Sequence, residues 1–352
     1  MVAQIFQIFA VYQLCHEIEF DPRQQETAVE SESVRPGEAE EDEATVQPAA
    51  QAQVLHPQHP HMHTVDPLQR SDQESLIDGA VWPIDHVLSS TLDVPPPPDN
   101  LDEIRSSICG TSRASLEPQT FTFEDWKRFR NAHNLATSEE ARSRLLDGII
   151  EGTTLGLDTA NVKQGPVILT NLLPLLPNLV PGNPDRAYGA RPETLHNSVR
   201  DALRKVILPT TALDLLCPNF VLHVKGPKGS SETASLQAVY DGALAARGID
   251  ALWRWGAEGD ADEEGHTART ITCTYTADGV LRMFAVHSCP QPSTSLLHEE
   301  DTSYGTQNVG YITTRIGGWF MSESLDHFRE GAAAFRNGLA ARGLVIKVQP
   351  IP

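Results

Sequence analysis

Four histidines, His56, His59, His61 and His63, fall within eight residues and could chelate a transition metal through their imidazoles. They stand in a tract of proline and glutamine, a composition that more often binds nothing. The next candidates lie in the segment FVLHVK between Asn219 and Gly226, which has the length and make-up of a strand. Alternation puts Phe220, Leu222 and Val224 on one side and Val221, His223 and Lys225 on the other, so an imidazole and an ammonium share a face. His223 reads either as a half-buried polar group with a hydrogen-bond partner or as a ligand. Lys225, beside Gly226-Pro227, is either a solvated lysine or a site cation. Asp185 follows a proline, where a carboxylate caps a turn. Five cysteines, Cys15, Cys109, Cys217, Cys273 and Cys289, are odd in number and never spaced C-x-x-C. That argues against a disulfide framework or a zinc ribbon, and for reduced thiols in an intracellular protein. No P-loop, dinucleotide fingerprint, G-x-S-x-G or H-E-x-x-H occurs.

The charge says where folded structure should carry these groups. The chain of 352 residues has a net charge of -20, but residues 1–119 hold 21 acids against 5 bases. The tail therefore accounts for -16, and only -4 remains for residues 120–352. Residues 21–119 are rich in Glu, Gln, Ser, Pro and His, include the run Pro95 to Pro98, and show no sustained period. Such a segment is too polar to offset its ordering entropy, so residues 1–119 are predicted to be a mostly disordered tail, with one ordered patch around Leu76 to Val87. The apolar start MVAQIFQIFAVYQLC has neither a basic n-region nor a cleavage site, and reads as a short hydrophobic or amphipathic tail or as a misplaced start codon. No run of about 20 apolar residues is present to span a bilayer, so no membrane partner is expected.

Folded structure is predicted over residues 120–352. Thr122 is an N-cap for FEDWKRFRNA, with Asp125 three residues on, and SEEARSRLLDGIIEG is a second helix. The stretch VILTNLLPLLPNLVPGNP is broken by prolines, yet its aliphatics must be buried. Pro192 opens a helix whose buried face is Leu195, Val199, Leu203 and Val206, ending at Pro209. After FVLHVK, the turn GPKGS leads to a helix with Leu236, Val239, Tyr240, Ala243 and Leu244 as its stripe. RTITCTYTADGVLRMFAVH is two strands joined by Asp278-Gly279, the pair suited to a type I′ turn. A strand from Val309 to Phe320 follows, then a helix capped by Ser322 or Ser324 and ended by Gly343. This order predicts an α/β or α+β domain with a mixed central sheet flanked by helices.

At NPDRAYGARPETL, CPNFVLHVKGPKGSSETASLQAVYDGALAARG and FREGAAAFRNGLAARG the sequence resembles a large set of uncharacterised fungal proteins. Their core looks like the PD-(D/E)XK, or restriction-endonuclease-like, fold, and the likeness covers residues 120–342. The resemblance implies that the Pro-Asp signature falls on Pro184-Asp185, the acidic position of the (D/E)-x-K tripeptide on His223, its lysine on Lys225 and the glutamine of the following helix on Gln237. An additional helix acid would correspond to Glu193. An active relative would be a metal-dependent nucleic-acid phosphodiesterase, with Mg²⁺ or Mn²⁺ held by Asp185, His223 and Glu193, the water oriented by Lys225 and the site shaped by Gln237. Hard Mg²⁺ is held by carboxylates and poorly by imidazole, so His223 implies either a changed metal or lost catalysis.

The alternative is a non-catalytic module for a protein or nucleic-acid partner, since family members resemble domains found beside fungal protein-kinase-like segments. The chain itself has neither H-R-D nor D-F-G. Residues 180–250 have a net charge of +1, and Arg200 and Arg204 share one helix face, a modest footprint for phosphate.

Overall fold

The computed structural model describes residues 70–87, 94–152, 161–176, 179–212, 214–256, 266–290 and 309–341. Its helices are α1 (Arg70–Asp78), α2 (Leu101–Cys109), α3 (Phe123–Leu135), α4 (Glu139–Leu145), α5 (Asn197–Ile207), α6 (Ser231–Gly256) and α7 (Leu325–Ala341). The strands β1 (Val81–Trp82), β2 (Asn161–Gln164), β3 (Arg186–Ala190), β4 (Leu216–Val224), β5 (Thr270–Tyr275), β6 (Val280–Pro290) and β7 (Val309–Phe320) form one sheet, in the order β1-β7-β6-β5-β4-β3-β2. The sheet is mixed. β2, β3 and β4 are antiparallel neighbours, as are β5, β6 and β7, while β4 pairs with β5 and β1 with β7 in parallel. A parallel pair needs a long crossover, and α6 supplies it between β4 and β5.

Every residue of β4 is buried, as in a strand covered on both faces. On one face Leu222, Val224, Cys273 and Met283 pack under Trp126 and Phe129 of α3 and Phe328 and Phe335 of α7. On the other, Ala187, Val221 and Val286 meet Val239, Tyr240 and Ala243 of α6. Gly242 permits this approach, because a Cβ there would stand 2.5 Å from Thr272 Cγ2 and 2.8 Å from Val286 Cγ2. Leu169, Leu172 and Leu176 of the proline-broken stretch are buried in the same layer, as its composition requires. Val199, Leu203 and Val206 of α5 pack on Ile249 and Leu252 near the end of α6.

Several local features follow the sequence closely. Thr122 and Asp125 form a reciprocal capping box, and Ser138 Oγ accepts the Ala141 N–H at 3.1 Å to start α4. Helix α4 runs into a π turn at Leu146–Ile150. Ser324 Oγ accepts the His327 N–H at 3.3 Å at the head of α7.

Other features differ from expectation. Pro192 opens a 3₁₀ turn, Pro192–Thr194, and Leu195 and His196 are extended before α5 begins. The β5–β6 connection is not a type I′ turn. Only Gly279 has a positive φ, +75°, and the Thr276 carbonyl accepts the Gly279 N–H at 2.9 Å. That is a type I turn followed by a left-handed glycine, so Asp278 stays in an ordinary conformation.

The largest correction concerns residues 94–119, which are part of the fold and not of a disordered tail, while the ordered patch expected around Leu76 to Val87 begins earlier, at Arg70. Leu76, Val81, Leu101, Ile108 and Leu116 are buried, β1 extends the sheet beside β7, and Pro95 and Pro98 are covered. These apolar residues are too sparse to make a period, yet each finds a place against elements distant in sequence. The four histidines at 56–63, Cys15, the apolar start and Gly343 lie outside the described residues. Cys109, Cys217, Cys273 and Cys289 are free thiols. Among the described residues no helix is long and apolar enough to cross a membrane.

Candidate functional site

The antiparallel pairing of β3 and β4 decides where Asp185 goes. Arg186 is in register with Leu222, so Asp185, one step before β3, comes level with His223 near the end of β4. Its Oδ2 accepts the Val224 N–H at 2.8 Å. The whole of α5 lies between Asp185 and β4 in sequence, yet the two strand ends are neighbours.

His223 is 0% exposed and, with Val221, faces α6. Its Nε2 lies 3.1 Å from Oδ2 of Asp241, a residue of α6 that is itself 1% exposed. The approach is close enough for an ion pair but is not aligned as a hydrogen bond, and neither imidazole nitrogen has a hydrogen-bond partner among the described residues. Asp241 Oδ2 also accepts the Asn183 N–H at 3.2 Å. Gln237 stands one helical turn before Asp241, nearly buried, and its Oε1 has no partner among the described residues. Across the sheet, His223 is in register with Thr274 of β5, and Thr274 with Arg282 of β6. Thr274 Oγ1 is also buried without a hydrogen-bond partner among the described residues. Asp185, His223, Thr274 and Arg282 thus form a polar row across four strands beneath the N-terminal half of α6.

Lys225 leaves the row at the strand end. Its N–H donates to the Tyr275 carbonyl at 2.8 Å, and its Nζ lies 3.5 Å from Oε2 of Glu139 at the start of α4. The Lys225 side chain is nearly buried, whereas that of Glu139 is 44% exposed. Next to Asp185, Arg186 holds Asp147 through Nη2–Oδ2 at 2.7 Å and Nε–Oδ1 at 3.0 Å. Burial pushes the Asp147 carboxyl up, but hydrogen bonds from Arg186 and Lys163 outweigh it and hold the pKa below the usual range. Lys163 also donates to Glu151 at 2.8 Å, and Tyr188 donates its hydroxyl to the same carboxylate. Burial raises the Glu151 pKa despite these donors. This network ties β2 and β3 to the end of the α4 helical segment.

Glu193 does not join the cluster. It lies on the 3₁₀ turn beyond the far end of β3, a strand length of roughly 15 Å from Asp185. Its side chain is 70% exposed and 4.0 Å from Arg191. The acids that do lie beside the predicted residues are Asp241 and Glu139, which sequence reasoning missed. Asp241 had a usable signal, four residues after Gln237 and therefore on the same helix face. Glu139 had none, because its nearness to Lys225 depends on how α4 packs against the end of β4.

The side chains present do not fit the divalent ion that the resemblance implies. One oxygen of Asp185 is committed to a backbone N–H, the tripeptide acid is an imidazole facing Asp241, and Glu193 is remote. Among the described residues no three His, Cys, Asp or Glu side chains converge to hold a metal. No protein-family model matches the chain, and neither a curated protein nor a solved structure matches it.

Proposed function

We propose that the chain carries a restriction-endonuclease-like domain whose catalytic positions have become a buried polar cluster, and that it acts by binding a protein or a nucleic acid, not by cleaving one. The meeting of the motif positions supports the first half of this reading. Asp185 and the His223-Val224-Lys225 tripeptide stand on adjacent strands, and Gln237 on the helix that follows. One observation carries the second half: His223 is 0% exposed and its Nε2 is 3.1 Å from Asp241. A phosphodiester needs a metal-bound or solvated nucleophile in contact with it, and this position is closed to both by α6. The free thiols of Cys109, Cys217, Cys273 and Cys289 fit a reducing, intracellular setting.

A second reading, a metal-dependent phosphodiesterase using Mg²⁺ or Mn²⁺, is favoured by Glu139. Its half-exposed carboxylate beside Lys225 offers an oxygen donor of the kind that His223 withdraws. One assay separates the two. The full chain is incubated with single-stranded DNA, duplex DNA and RNA under Mg²⁺, Mn²⁺ or chelator, with Lys225→Ala and Glu139→Ala alongside. The binding-module reading expects no cleavage from folded protein under any metal. Metal-dependent cleavage that both variants lose replaces it with the second reading.

A further inference from the structure

A groove of about 380 Å³ opens where α6 begins, between the first turns of that helix and the loop after β1. Two guanidinium groups line it, Arg282 from β6 and Arg315 from β7. Gly318 lies across from Arg282 on β7, and the Arg282 stem passes 3.7 Å from where a Cβ at Gly318 would stand, so no side chain at that position crowds it. Ser231 and Ser235 bring hydroxyls to the α6 wall. Arg315 Nη2 donates to Asp85 Oδ2 at 2.8 Å, in a pair whose side chains are 48% and 67% exposed. Asp85 holds this position with a φ of 57°, in the left-handed region that non-glycine residues enter at a cost.

We infer that this groove is a phosphate-binding site and that the Asp85 carboxylate stands where the oxyanion of the ligand binds. An exposed ion pair contributes little to stability, so Asp85 is readily displaced. A phosphate brings more acceptor oxygens than a carboxylate and suits the forked donors of arginine. Charge favours exchange over addition. Glu232 also lines the groove, so two cations already face two carboxylates, and a phosphate enters by taking the place of Asp85 on Arg315 and not as a third anion. The volume falls in the range of small-molecule sites, leaving room for an organic group on the phosphate. None of this depends on the reading of the His223 cluster.

Calorimetric titration of the full chain with inorganic phosphate tests the site, using the wild type, Arg282→Ala, Arg315→Ala and Asp85→Asn. The expected result is binding that weakens about tenfold or more in either arginine variant and tightens several-fold in Asp85→Asn. Asp85→Asn changes only an exposed loop side chain, so its gain is readable even if an arginine variant folds poorly. Equal affinity in all four proteins, or no binding by the wild type and Asp85→Asn, overturns the proposal. A 5′-phosphorylated dinucleotide that binds more tightly than both inorganic phosphate and its unphosphorylated form identifies a nucleotide as the source of the phosphate. No such gain identifies the free ion.

Discussion

Nε2 of His223 and Oδ2 of Asp241 lie 3.1 Å apart, one on the sheet and the other on the helix above it, with both side chains closed to solvent. Removing one member leaves the other buried without compensation, whereas replacing both by apolar groups removes the need for either. Asp241→Ala is therefore expected to lower the free energy of unfolding by about 1–3 kcal/mol. The His223→Leu, Asp241→Leu double variant is expected to recover much of that loss. Guanidinium unfolding of the set measures both, and additive losses would show that the two side chains do not act as a pair.

Asp185 and Glu193 make a matched comparison, because the resemblance gave both the role of metal ligand. Asp185→Ala strips the Val224 N–H of its acceptor and is expected to cost about 1–3 kcal/mol. Glu193→Ala, at an exposed turn, is expected to stay within about 0.5 kcal/mol of the wild type. Unfolding curves decide the matter, and equal costs would contradict the placement of the two carboxylates.

Gly242 sets the distance between α6 and the sheet. A methyl group there would press on Thr272 and Val286, so Gly242→Ala is expected to destabilise by about 1–3 kcal/mol despite its better helix propensity. A rise in melting temperature for this variant would mean that the two layers can separate at little cost.

His287 on β6 gives the fold an acid-sensitive point. Burial, helped by the charge on His266, lowers its pKa from 6.5 to about 4 against a weaker upward pull from Asp99. The unfolded chain therefore binds more protons between those values. Stability is full above about pH 6.5 and is lost as pH falls toward 4, by roughly 3 kcal/mol. His287→Gln is expected to flatten that part of the profile in urea unfolding at a series of pH values. An unchanged slope would place the acid sensitivity elsewhere.

The sequence showed its elements best where a period or a cap was local. β7 and the helices with strong apolar stripes needed nothing beyond their own residues. The same reasoning failed where burial depended on distant partners. Leu101, Ile108 and Leu116 looked like isolated apolar residues in an acidic tail, yet all three are buried, and Ile108 and Leu116 share a core cluster with Phe328 and Phe335. The site divided the same way. Asp185, His223, Lys225 and Gln237 were implied by the resemblance, Asp241 was legible only as a neighbour of Gln237 on one helix face, and Glu139 became visible only through the packing of α4. The Asp278-Gly279 pair misled on turn type because a three-residue loop needs only the glycine to be left-handed.

The proposed binding module requires that His223 face Asp241 beneath α6 and bind no metal. Labelling the histidines with ¹⁵N and titrating the full chain with Mn²⁺ tests it directly, because a paramagnetic ion broadens the signals of any imidazole it binds. The ring resonances of His223, assigned through His223→Gln, are expected to stay sharp at Mn²⁺ concentrations that support nucleases. Selective broadening of those resonances, reversed by chelator and lost in Asp185→Ala, would contradict it.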